Sequence, residues 1–147
     1  MLVLSVVSST LLCPRLIMST AINVTSNLIS SIRYLSQLAS ADTQINELLI
    51  SNDVLHDIIV IKTFIEELEK KPINETLTVS IRNLGETLHH LEQNINSVTT
   101  KIENHKSLWF SYVRSYNLSE EKKNIPFLIN QLKHRFELLI KLGTIAH

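Results

Sequence analysis

The sequence predicts an all-α protein, an elongated helical hairpin or bundle of about four helices built around one long coiled-coil helix. Three observations predict it. The chain has only 2 glycines and 3 prolines in 147 residues, and tight turns, hairpins and phosphate-cradling loops all draw on those residues. Hydrophobic residues make up 44% and charged residues 19%, enough apolar surface for one folded domain and too much for a disordered chain. From Leu77 onward, apolar residues recur at alternating steps of four and three without a slip, which is the pattern of a heptad seam.

The N-terminal stretch "MLVLSVVSSTLLCPRLIMSTA" holds an apolar run of about a dozen residues, the length of a signal peptide and too short to span a bilayer. No basic residue precedes the run, Pro14-Arg15 ends it, and Met18 opens a stretch that reads as an ordinary start. Residues 1–17 are therefore read as an apolar extension or a signal, and residues 18–147 as a single helical domain. Its first helix, over roughly 19–50, carries a loose stripe through Leu28, Ile32, Leu35, Ile45 and Leu49, interrupted by polar residues around Asp42. The second, over roughly 53–71, has Asp53 as a candidate cap and Val54, Ile58, Ile61, Ile65 and Leu68 on one face. Lys70-Lys71-Pro72 stops it, because proline cannot continue a helix and cations suit its C-terminal end.

The third helix, over roughly 75–117, carries the seam. With Ile81 as heptad position a, the a set is Ile81, Leu88, Ile95, Ile102, Trp109 and Tyr116, and the d set is Leu77, Leu84, Leu91, Val98, His105 and Tyr112. β-Branched residues at a with leucine at d favour two-stranded packing when the helices are parallel. A helix of about 40 residues is about 60 Å long, whereas a compact chain of this size is roughly 40 Å across. The long helix is therefore expected to project from any globule its own chain makes, pairing with the second helix or with another subunit. "NLSEEKKNIP", Asn117 to Pro126, reads as a polar connection. A last helix over roughly 126–142 follows, with Pro126 in its first turn, Ile129, Leu132, Phe136 and Leu139 on one face, and Gly143 at its end. It folds back on the long helix as a hairpin.

Several classes of chemistry find no residues here. Fourteen basic residues balance fourteen acidic ones, interspersed, so neither nucleic acid nor an anionic membrane is an expected partner. The densest basic spots, Lys70-Lys71 and Lys122-Lys123, read as helix ends. One cysteine, Cys13, permits no internal disulfide and fits an intracellular compartment, cytoplasmic or nuclear, better than a secreted one. There is no strand-turn-helix serine motif, and two isolated glycines build neither a dinucleotide loop nor a P-loop. No catalytic residue, cofactor or metal is expected. His89 and His90 are adjacent, so they point in different directions on a helix. Glu66, Glu67 and Glu69 diverge in the same way and read as a solvated face. His105 interrupts the seam at d, where a neutral, hydrogen-bonded imidazole is the plain reading and a proton gained near pH 6 the sharper one.

"SLWFSYVRSY", Ser107 to Tyr116, is the most informative stretch. Leu108, Trp109, Phe110, Tyr112, Val113 and Tyr116 surround more than half of a helix, and Arg114 sits among them. Trp, Tyr and Arg often dominate the energy of protein interfaces. The last helix, through Phe127, Phe136 and Leu139, covers one side only. The expected function is that of a non-enzymatic interaction or scaffold subunit, with the seam from Leu77 to His105 and this aromatic cluster as contact surfaces. Other protein chains are the expected partners, in a hetero-oligomeric assembly rather than a homo-oligomer. The alternatives are a cementing protein of a virus particle, suggested by the Ile-, Asn- and Lys-rich vocabulary, and a secreted glycoprotein using the sequons at Asn23, Asn74 and Asn117.

Overall fold

Periodic apolar faces become five helices and no strand among the residues that the structure, a computed structural model, describes: 13–38, 43–107 and 117–146. They are α1 (Pro14–Leu38), α2 (Thr43–Ser51), α3 (Val54–Glu69), α4 (Glu75–Ser107) and α5 (Ser119–Ala146). Pro14 opens α1, where its fixed φ suits the first turn and its missing N–H costs nothing. The helix thus starts ahead of residue 19, and Ile17 and Met18 are already buried in the core. Ala21, Thr25, Leu28, Ile32 and Leu35 continue the buried stripe. The Thr25 hydroxyl, cut off from water, donates to the Ile22 carbonyl at 2.6 Å, a local bond that removes the cost of burying it.

One helix over 19–50 was expected, and the structure has two. Residues 39–42, between the two, lie outside the described residues. Asp53 lies at the N-cap of α3 in the left-handed region, φ 51° and ψ 42°, and its side chain makes no capping bond. Its backbone is what serves the turn: its N–H donates to Ile50 O at 3.0 Å and its carbonyl accepts from Asp57 N at 3.1 Å. Aspartate tolerates this conformation better than most side chains. The side-chain cap appears instead at Asn74, whose Oδ1 accepts the Leu77 N–H at 2.9 Å and starts α4.

α4 packs chiefly against α1 and α5, while α3 packs on α1. Its principal partners are therefore not the second helix of the sequence reading. Ala21 lies against Gly85, and the Tyr34 hydroxyl donates to Glu103, so α1 and α4 run parallel. Lys101 meets Glu121 near one end, and Arg135 meets Asn83 nearer the other, so α5 runs antiparallel along α4. Phe64 stacks edge-on against Phe136, ring centroids 5.7 Å apart, and Leu68 lies near Gly143. These pairs close a four-helix bundle, with α2 appended beside α3. As far as the described residues reach, α4 does not project: α1 and α5 lie alongside it, and Ile102 is still fully buried.

α5 corrects the reading of "NLSEEKKNIP". Helix begins at Ser119, and Leu118, Glu121, Ile125, Leu128, Ile129 and Leu132 form one buried face through that segment. Glu120 and Glu121 suit the positive end of the helix, and Lys122-Lys123 lie in its early turns instead of at a C-terminal end. Pro126 is internal and exposed, so its ring stands in solvent and not against a neighbouring helix, and the helix runs through it. Gly143 does not end the helix, which continues to Ala146. A Cβ there would sit 3.3 Å from the tip of the Phe64 ring; the glycine admits the close approach of α3.

Candidate functional site

The seam positions Leu77, Ile81, Leu84, Leu88, Leu91, Ile95, Val98 and Ile102 are at most 1% exposed. The chain's own helices cover them. His105, at the far end, is half-buried. The aromatic cluster of Leu108, Trp109, Phe110, Tyr112, Val113, Arg114 and Tyr116 lies outside the described residues, as does the stretch of α4 expected to reach residue 117.

Two polar ties fasten α5 to α4. In the first, Lys101 Nζ lies 2.5 Å from Glu121 Oε1 and 3.1 Å from the Asn117 carbonyl, while the Ser97 hydroxyl donates to the same Glu121 oxygen at 2.7 Å. Burial pushes the Glu121 carboxyl up, but the bonds from Lys101 and Ser97 outweigh it and leave the group below its ordinary value. Ser97 thus spends its proton on a carboxylate and Lys101 keeps its own in an ion pair. The trio is arranged to tie helices. In the second, Arg135 Nη1 donates to Asn83 O at 2.6 Å and to Thr87 Oγ1 at 2.8 Å, and Thr87 in turn donates to Gln131 Oε1 at 3.0 Å.

His89 and His90 are both exposed, with ring centroids 6.3 Å apart. Glu66, Glu67 and Glu69 are exposed as well, and Glu67 pairs with Lys70 at 3.2 Å. Among the described residues no group of three or more His, Cys, Asp and Glu side chains is placed to hold a metal. No helix among them is long and apolar enough to cross a membrane.

What remains for contact is on the outside. Phe127, Leu138 and Ile145 of α5 are 65%, 52% and 83% exposed. Their spacings of eleven and seven residues, at about 100° per residue, put them on one side of the helix. Leu138 and half-buried Leu142 also line a shallow groove of about 410 Å³ against Glu75, Thr76, Val79, Ser80 and Asn83 of α4. Phe127 was expected, with Phe136 and Leu139, to cover one side of the aromatic cluster; instead it is exposed, while Phe136 packs on Phe64 and Leu139 is buried in the core. The surplus of large apolar residues after Pro126 was the available signal for an outer stripe. A second groove, also about 410 Å³, lies between α1 and α4, with Ala21 and Gly85 among its lining residues. Its signal was the pairing of the two smallest residues in otherwise bulky stripes. Compared with models of known families, with curated proteins and with solved structures, the chain matches none.

Proposed function

We propose that the protein is a non-enzymatic interaction subunit that holds another protein chain in a multiprotein assembly through the outer face of α5. The observation that carries this reading is the stripe Phe127, Leu138 and Ile145 on a helix whose opposite face is already committed to the core. Exposed large side chains arranged along one line, and continuous with a groove, are the usual form of a helix-docking surface. The stripe runs over nineteen residues, about 27 Å of helix, which suits an amphipathic helix of the partner laid along α5. Gln131, His134 and Lys141 fall on the same side of the helix, between the three apolar residues, so the surface alternates apolar and polar groups along its length. The single cysteine supports a reducing, intracellular setting.

The test is affinity recovery of the tagged chain from its source, beside a Phe127→Asp, Leu138→Asp double variant. Both side chains are exposed, so the variant keeps its fold by circular dichroism. The proposal expects a stoichiometric foreign chain with the wild type and its loss with the variant. Equal recovery of that chain by both, or a lone species at twice the chain mass, sinks it.

A further inference from the structure

The apolar stripe on α5 has a second row beside it. Lys123, His134 and Lys141 each stand four residues before Phe127, Leu138 and Ile145, and so repeat the same spacings of eleven and seven. Residues four apart are neighbours on a helix surface, and at about 100° per residue the two rows lie about 40° apart along the whole stripe. The three basic side chains are exposed. None of them has a hydrogen-bond or ion-pair partner among the described residues.

The opposite edge of the stripe is different. Asn124 and Gln131 carry no charge there, and Leu142 leads into the groove against α4, where Glu75 stands. The acids on α5 itself do not neutralise the row: Glu120 precedes the stripe in the first turn, Glu137 lies beyond the basic row, and neither is ion-paired with it. Positive charge therefore borders one edge of the apolar row and a carboxylate the other. A partner helix with acids along one edge is attracted in one rotation about its axis and repelled by Glu75 in the other, so the charges fix which edge faces which. An anionic lipid surface meets the same lysines, but a helix lying in a bilayer interface needs a broad apolar face. The broad face of α5 is spent in the core, and a narrow stripe remains.

On the strength of the docking surface proposed above, we infer that its partner is an acidic amphipathic helix, one that lays an apolar ridge on Phe127, Leu138 and Ile145 and sets a row of carboxylates against Lys123, His134 and Lys141.

The test titrates the purified full chain, by calorimetry, with three alanine-based helical peptides of about 27 Å, each carrying one leucine row and a neighbouring row of glutamate, glutamine or lysine. The glutamate peptide should bind at one per chain, about fivefold tighter than the glutamine peptide, with the lysine peptide weakest. Salt at about 1 M should erase the difference. The double variant Lys123→Glu, Lys141→Glu, altered at exposed positions only, should reverse the order. No binding of the glutamate peptide, equal affinity for the glutamate and glutamine peptides, or an unchanged order in the reversed variant overturns the inference. So does binding to phosphatidylcholine–phosphatidylserine vesicles that the glutamate peptide does not displace, since that assigns the row to a membrane surface. The neutral variant Phe127→Gln, Leu138→Gln separates this inference from the reading beneath it. If the glutamate and glutamine peptides bind equally and both are lost in that variant, the docking surface stands and the acidic partner falls; if the glutamate peptide binds that variant undiminished, the docking surface itself falls.

Discussion

Lys101 of α4 and Glu121 of α5 form an ion pair at 2.5 Å in which the Glu121 side chain is 4% exposed and the Lys101 side chain 39%. The asymmetry sets the pH dependence. Because the folded-state value of Glu121 lies below the ordinary 4.5, the pair contributes fully above that value and is lost as pH falls through the lowered one. Urea denaturation should therefore show stability falling as the pH drops through 4.5 and on through the lowered value, with a shallower fall in Glu121→Gln. At neutral pH that variant should be less stable by about 1–2 kcal/mol, a cost held down because Lys101 reaches water. Superimposable pH profiles would remove the ion pair from the account.

The seam bears the fold, so truncation there should be expensive. Ile95→Ala leaves a cavity at a fully buried position and should cost about 3 kcal/mol. Ile145→Ala, on the exposed stripe, should change stability by less than about 0.5 kcal/mol. Ile95→Asp should abolish the helical fold, since it places a charge among apolar side chains. Equal midpoints for the two alanine variants would contradict the burial pattern.

The two glycines separate propensity from packing. Gly85→Ala adds a methyl at ordinary contact distance from Ala21 and should stabilise by up to about 1 kcal/mol, the helical preference of alanine over glycine. Gly143→Ala gains the same preference but presses on the Phe64 ring at 3.3 Å. Its net change should fall below that of Gly85→Ala, and chemical denaturation of the two variants side by side checks the order.

The helix starts give a further pair. Asn74→Ala removes the acceptor for Leu77 N–H and should cost about 1 kcal/mol. Asp53→Gly loses no side-chain cap and relieves a left-handed residue, so it should be neutral or stabilising by about 0.5 kcal/mol.

These residues also mark what was legible in the sequence. The seam from Leu77 to Ile102 was readable because strict periodicity over many turns has no competing explanation. The capping role of Asn74 was not, because Asp53, a short acceptor before an apolar run, looked like a cap in the same way and only backbone geometry tells the two apart. Pro126 misled for a physical reason: proline most often marks a helix start, yet an exposed proline is tolerated inside a helix whose other face carries Leu118, Ile125 and Leu128. The α1/α4 groove and the outer stripe of α5 depend on which faces meet, and a one-dimensional pattern records faces without recording their neighbours.

The most direct test of the partner-binding account is hydrogen–deuterium exchange on the recovered native complex, compared with the chain alone. The account predicts added protection in peptides covering Phe127 to Ile145 of α5 and Glu75 to Asn83 of α4, with none at Ile59 and Val60 on the outer face of α3. Protection confined to α3, or no change on α5 while a partner is bound, would contradict it.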